Sequence, residues 1–586
     1  MGQKQEIPHR LTNELITFTY IDQTMTYRNL LKITTALLLA VLVSSCACRL
    51  KPLESSAAQV DPNPLTLVGT QIPGQVRLTL PAKWCHKRAI VNITPELRYS
   101  GTSVTGQTVT IQGENVRDNY QTISYDRGGS VIVPFAFEYK PGMEQSDLYL
   151  TFTATIKGKK VNLPAVKVAR GTIMTADLAS ISDVTPALAR DAFQRVIKEQ
   201  YTADLKFLIN RAEVRAAELN KREVKDWQDV VDNAYQVPNQ EVDIEIQAYA
   251  SPDGAQDLNE RLSAQRERNT SSVIARKLGN KKIEVNAHYT AEDWDGFQKL
   301  LEASNIQDKE LVLRVLSMYP DPEDREREIR NLSHVFTQLA DEILPELRRS
   351  RLNANVRIIG KSDDELKMFM AQRPGRLTIE EILYTATLYD NAKDQMNAYQ
   401  QATQLYPKDY RAYNNIGTLY LAQGNNEQAA KYFAQAQKIQ PNAASSMNEA
   451  LLALDRGNLA EAQRLMGSAV EVPEAGQGIG LLQMHEGKYA DAIRSFGNTP
   501  SNTLAIAQIM QGQYADATRT LAAVAQPNGE TAYLKAVVAA RTNDLQVLVS
   551  NLRSAIEQDR SYAQRAQRDL EFAAFSQTPE FVALVK

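Results

Sequence analysis

The residues of this chain that could do chemistry are few and scattered. Three cysteines, Cys46, Cys48 and Cys85, are too few for a disulfide framework or a zinc site built from thiolates. The five histidines (His9, His86, His288, His334, His485) form no i,i+4 pair and sit beside no carboxylate cluster at ligand spacing, so no metal site is expected. Trp84-Cys85-His86 sets a thiol beside an imidazole, the pairing that activates a sulfur nucleophile; without an acid to orient the histidine it reads as a partly buried structural cluster. Asp293, Asp295 and Gly296 open like a calcium loop but lack its remaining ligands, and read as a solvated helix start. No P-loop, Gly-x-Ser-x-Gly, His-Glu-x-x-His or dinucleotide glycine pattern occurs, so no catalytic residue and no cofactor is assigned.

Length and charge narrow the remaining classes. The 586 residues suggest about four structural units. With 66 Lys and Arg against 69 Asp and Glu, the net charge of −3 supplies no basic field, and nucleic acid is not expected as a partner.

Chemistry of another kind is expected at Cys46. Residues 33 to 43 are an apolar run too short to span a bilayer, preceded by Arg28 and Lys32 and followed by Ser44-Ser45-Cys46, which is the layout of a signal peptide. Met25 begins a conventional signal of this kind, and residues 1 to 45 are read as leader and signal. Val43-Ser44-Ser45-Cys46 resembles a bacterial lipobox, which implies a lipidated Cys46 anchoring the chain to a membrane. The bland alternative is an ordinary cleaved signal with an incidental cysteine. Ala47 in place of Asp implies the outer membrane. The absence of an acidic cluster after Cys46, unlike surface-exported lipoproteins of Bacteroidetes, implies a periplasm-facing chain.

The elements that follow fall into three blocks. Residues 46 to 64 read as a tether. From 65 to 180 the apolar period is two, most clearly in Leu148, Leu150, Phe152, Ala154 and Ile156, and about seven such strands predict an all-β sandwich. From 181 to 365 the pattern predicts an α+β domain. A helical stretch at Thr185–Ile197 leads into a strand at Asp204–Ile209, a helix over 212–234, a strand over 241–250, a helix to about Leu278, a strand at 283–290 and a last strand at 355–360. A charged helical insertion occupies about 291–347.

Asn259-x-x-Leu262-Ser263-x-x-Arg266, following a strand and the Gly254 turn, resembles the OmpA-like C-terminal domain, and Arg348-Arg349 resembles the basic pair often found before its last strand. The resemblance, over about 203 to 362, implies peptidoglycan as a ligand, with Arg266 receiving a carboxylate and a nearby acid receiving an amine. Where the family usually has that acid, this chain has Ser251, with Asp253 two residues on. The module is therefore either an altered binder through Arg266, Ser251, Asp253 and Asn259, or a protein contact that keeps only the fold.

The last block, 376–586, is repetitive. Tyr413, Ile416, Gly417, Tyr420, Ala429, Phe433, Ala436 and Pro441 fall at positions 4, 7, 8, 11, 20, 24, 27 and 32 of a 34-residue unit starting at Tyr410. This resembles a tetratricopeptide repeat at every signature position, with Tyr413 for the usual Trp. Further units keep the register through Gly457, Gly487 and Gly512, which implies an all-α solenoid of five or six repeats whose concave face holds an extended segment or helix of another protein. The whole resembles a Bacteroidetes-type outer-membrane lipoprotein, a non-enzymatic scaffold. The competing expectations are a peptidoglycan tether whose repeats only oligomerise, and a cell-wall-modifying enzyme.

Overall fold

A computed structural model describes residues 52–586, which divide into two compact units. One joins the residues up to Ala189 with Tyr413–Lys586, and the other is Arg190–Ala412. Cys46, expected as the site of a lipid anchor, and the signal expected before it lie outside the described residues.

The first unit is sheet-rich at its N-terminal end. Its eleven strands are β1 Ala58–Asp61, β2 Leu65–Thr66, β3 Gln71–Leu80, β4 Ala89–Tyr99, β5 Thr102–Thr105, β6 Val109–Gly113, β7 Gln121–Ile123, β8 Gly129–Glu138, β9 Asp147–Ile156, β10 Lys159–Arg170 and β11 Thr172–Ile173. One sheet runs β1-β3-β8, another runs β10-β9-β4-β6-β7 with β5 beside β4, and β2 pairs with β11. Both larger sheets turn their apolar side chains into one core, which includes Val76 and Val133 from the first and Val91, Ile93, Leu150 and Phe152 from the second. In β9 the alternation is complete: Leu148, Leu150, Phe152, Ala154 and Ile156 are buried between partly exposed Tyr and Thr. Burying such a side chain is worth about 1.5–3 kcal/mol, which fixes which face of the strand turns inward. The first strand lies inside the stretch 46–64 expected as tether, because Ala58–Asp61 pairs antiparallel with β3.

The rest of this unit, which resumes at Tyr413 inside the first helix, is a stack of helix pairs: Tyr410–Ala422 with Asn426–Ile439, Ala443–Asp455 with Leu459–Gly467, Ala475–His485 with Tyr489–Phe496, Asn502–Met510 with Tyr514–Ala522, and Gly529–Arg541 with Leu545–Gln558. Gly424, Gly457, Gly487 and Gly512 occupy the turns between paired helices at φ near +71 to +74, a conformation that favours glycine. Gly417 faces Phe433 so closely that a Cβ there would lie 2.4 Å from the ring. Helices Ser561–Arg568 and Pro579–Val585 close the end. The sheets rest directly on the stack, where the Gly69 amide donates to the Tyr489 hydroxyl at 3.1 Å.

The second unit holds a four-stranded sheet ordered β12-β15-β13-β14, with β12 Val196–Lys206, β13 Gln240–Tyr249, β14 Glu284–Thr290 and β15 Arg349–Ile359. β15 is antiparallel to both β12 and β13, while β13 and β14 are parallel across helix Gln256–Leu278. Trp227 and Val231 of helix Arg222–Gln236 and Ile274 of helix Gln256–Leu278 cover Ile244, Ile246, Leu352 and Ala354 on one sheet face. Between β14 and β15 the helices from Trp294 to Leu347 enclose a core of their own around Phe297, Leu301, Val312 and Leu339.

Three expectations are corrected. Thr185–Ile197 is not helical: residues 184–195 belong to no helix or strand, and Val196 already begins β12. The strands expected at 204–209 and 355–360 are longer and earlier, and pair over their full length from Val196↔Ile359 to Lys206↔Arg349. The unit boundary at Ala412 falls inside the stretch expected as one repeat domain, and residues 181–189 belong with the repeats rather than with the α+β domain.

Candidate functional site

The first helices of successive repeats carry polar residues on the face where a bound segment would lie. Asn414, Asn415, Ser445, Asn448 and Thr503 are at most 3% exposed, an unusual depth for amides and hydroxyls. What covers them is the chain itself. Ala187 donates its N–H to Asn448 Oδ1 at 2.8 Å, and its carbonyl accepts from Asn414 Nδ2 at 2.9 Å and Asn448 Nδ2 at 2.8 Å. Ala189 is held the same way by Asn415, its N–H donating at 2.9 Å and its carbonyl accepting at 3.0 Å. Thr185 N–H donates to Gln477 Oε1 at 3.0 Å. Residues 185, 187 and 189 thus present one edge of an extended backbone to a row of side-chain amides, and Ala187 and Ala189 are small enough to lie flat against the helices.

At the other end of this strap, Asp183 accepts from the backbone N–H of Thr503 at 3.0 Å and from its hydroxyl at 2.7 Å, in the first turn of helix Asn502–Met510. Burial nevertheless pushes the Asp183 carboxyl upward. Glu530, on the next repeat, is raised to about 7 by burial and then by the Asp183 charge, and its Oε1 is buried without a hydrogen bond. Further back Thr175 donates to Glu571, whose carboxylate also takes a two-pronged bond from Arg541 at 2.8 and 2.7 Å.

The groove expected to hold another protein's segment is therefore filled by residues 183–189. The physical reason also explains the failed helix. A helix satisfies its amides internally, whereas here Asn414, Asn415, Asn448 and Gln477 satisfy them from outside. None of these four is a repeat-signature residue. The available signal was spacing: Asn414 and Asn448 stand one 34-residue repeat apart, at equivalent places on consecutive first helices.

The signature residues form the frame behind the groove. Ile416, Ala429, Phe433 and Ala436 are fully buried, Gly417 admits the Phe433 ring, Tyr420 stacks on Tyr432 at 5.5 Å, and Tyr413 and Pro441 lie on the first helix and just before the next repeat.

In the second unit, Arg266 is 1% exposed and aims inward. Its Nε donates to the Arg211 carbonyl at 3.0 Å, Nη1 to Tyr249 at 2.8 Å and Nη2 to Leu208 at 3.5 Å, while the guanidinium lies over the Phe207 ring. Burial, then the nearby Arg348 charge, pulls it down to about 10. It is a brace for the loop after β12, not a group held out to a carboxylate. Asp253 does not complete a pair with it. Asp253 instead accepts from Arg348 Nη2 at 2.8 Å and from the Ser251 hydroxyl at 2.5 Å, and Arg348 Nε donates to Ser251 Oγ at 3.1 Å. Asn259 pins the turn by donating to the Gly254 carbonyl at 2.9 Å and to Glu292 at 3.1 Å. The structure thus joins Ser251 and Asp253 through Arg348, and leaves Arg266 behind them.

The remaining chemical candidates are structural. Cys85 is fully buried and burial pushes its thiol up to about 11, while His86 Nδ1 accepts from the Arg88 amide at 3.1 Å. Asp293 does start a helix, accepting from Gly296 N–H at 2.9 Å, but it is buried and paired to Arg349 at 2.6 Å rather than solvated.

The family-model match falls on this frame. The family model described as Tetratricopeptide repeat matches residues 410–443. No curated relative matches this sequence. Among solved structures, the chain is similar to the APC/C hetero-tetramer Cut9–Hcn1 (13% identity, TM-score 0.31, covering 36% of this chain and 46% of that one). It is also similar to a tetratricopeptide repeat protein from Parabacteroides merdae (15%, 0.28, 36% and 91%) and to PilF of Pseudomonas aeruginosa (15%, 0.25, 38% and 98%). The chain carries a tetratricopeptide repeat within a multidomain architecture, and such repeats are protein-interaction scaffolds without chemistry of their own.

Proposed function

We propose that this protein is a non-enzymatic scaffold of the bacterial cell envelope, anchored in the outer membrane by lipid at Cys46 and facing the periplasm, with its repeats holding a protein partner and its α+β domain lying near or on peptidoglycan. The observation that carries the scaffold reading is the row Asn414, Asn415, Asn448 and Gln477, buried and half-buried amides that each hydrogen-bond the main chain of one segment, with Thr503 holding the Asp183 side chain at its end. The envelope reading is supported by the signal layout before Cys46. The OmpA-like reading is supported by the sheet order β12-β15-β13-β14 and by Leu262 and Ser263 facing inward on the helix after the Gly254 turn.

Peptidoglycan contact, on this reading, is made by the Arg348–Asp253 pair, whose side chains are 12% and 17% exposed and hold opposite charges side by side. Crosslinking in cells tests the scaffold: partners captured by the full chain should vanish when residues 413–586 are deleted in a chain still found at the membrane, and unchanged partners would sink it. Sedimentation with purified sacculi tests the wall contact. The full chain should sediment and Arg348→Ala should not; a full chain that stays in the supernatant removes peptidoglycan from the function.

A further inference from the structure

The strap and its groove are unevenly matched along their length. At Thr185, Ala187 and Ala189 each main-chain group contacted is met by a neutral amide side chain, and nothing in those contacts reads the identity of a strap side chain. Leu188 points outward and is 43% exposed. At Asp183 the strap brings a carboxylate into a buried place that already holds Glu530. The groups acting on Glu530 are Asp183 from the strap, Asn502 from the first helix of the preceding repeat, and Arg565 from helix Ser561–Arg568, which also carries Tyr562. Arg565 is the cation among them. A main-chain-reading groove accepts any extended segment with small side chains at two alternate positions, and because the strap leaves Glu530 Oε1 buried without a hydrogen bond, a segment with a neutral donor at this end fits better than the strap does.

We propose that residues 183–189 are a built-in occupant of the groove, displaced by an extended segment of a partner protein that carries alanine- or glycine-sized residues at the places of Ala187 and Ala189 and a neutral residue at the place of Asp183, with opening starting at the Asp183 end. This rests on the scaffold reading and adds what the partner segment is and what it must compete with. The strap is tethered, so its effective concentration is high and only a segment that is better matched, or itself locally concentrated, replaces it.

The probe is a fluorescent synthetic peptide of residues 181–190 carrying Asp183→Asn, followed by anisotropy with the full chain. Ala187→Glu in the protein prevents its own strap from seating and should tighten peptide binding at least tenfold over wild type. Adding Asn448→Ala to that variant should remove the gain. Equal affinity for wild type and a folded Ala187→Glu protein, or a gain that survives Asn448→Ala, overturns the proposal. Should Ala187→Glu not fold, hydrogen exchange on the wild type decides: saturating peptide should expose the Ala187 and Ala189 amides to exchange while the repeat helices stay protected, and strap amides that keep their protection overturn displacement. Failure here with array-dependent crosslinks intact in cells removes the strap mechanism and leaves the scaffold.

Discussion

At the scale of single residues, the same residue type serves different ends according to what surrounds it. Arg266 and Arg348 are close enough for their charges to interact, yet Arg266 is committed to three carbonyls and Arg348 to a carboxylate and a hydroxyl. Replacing Arg266 by Met should therefore act on stability, since it strands buried carbonyls; a loss of about 3 kcal/mol in chemical denaturation is expected. Arg348→Ala, at a more accessible pair, should cost less than half of that. Gly417→Ala is expected to cost about 1–3 kcal/mol, because a methyl group would lie 2.4 Å from the fully buried Phe433 ring and force it to shift. A melting curve unchanged by Gly417→Ala would show that the helix pair can spread. Gly417 and Phe433 were legible in the sequence because the signature spacing encodes this contact. The inward aim of Arg266 was not, because it depends on where the loop carrying Leu208 and Arg211 passes.

At the scale of elements, the strap shows local preference losing to tertiary contact. Thr185-Pro186-Ala187-Leu188-Ala189 looks like a helix start, with proline in the first turn and good helix formers after it. Side-chain amides about 230 to 290 residues further along offer its backbone an alternative, and the extended form wins. The acidic end of the strap gives this element a pH dependence with a definite sign. Glu530 is raised from its ordinary 4.5 to about 7 in the folded protein, so folded chains hold a proton that unfolded ones have released. Stability is highest below about pH 4.5 with respect to this group, falls as pH rises, and has lost its full share, at most about 3 kcal/mol, above pH 7. Glu530→Gln should flatten that slope between pH 5 and 8 in thermal unfolding; a slope equal to wild type would place its origin elsewhere. Asp183, raised in the same direction, adds to the trend at lower pH.

At the scale of the whole molecule, the chain crosses its own domain order. The sheets at the start and the repeats at the end form one compact unit, although the residues of the α+β unit stand between them in sequence. Deleting the strap alone should thus weaken the repeat stack, by uncovering Asn414, Asn415 and Asn448, and limited proteolysis of such a deletion should cut within the repeats where the full chain resists. The membrane proposal makes its own prediction: Cys46→Ser should move the protein from the membrane to the soluble fraction of lysed cells and abolish incorporation of labelled palmitate, and retention at the membrane would remove lipid anchoring. The sequence by itself determined the period-two strands, the helix pairs and their turns, because alternation, repeat spacing and glycine are local properties that each segment carries whatever its neighbours do. Tertiary structure alone decided that the groove is filled from within, that Asp253 pairs with Arg348, and that Arg266 faces inward. Those outcomes rest on hydrogen bonds between residues far apart in the chain, and a buried polar group takes whichever partner the fold brings to it.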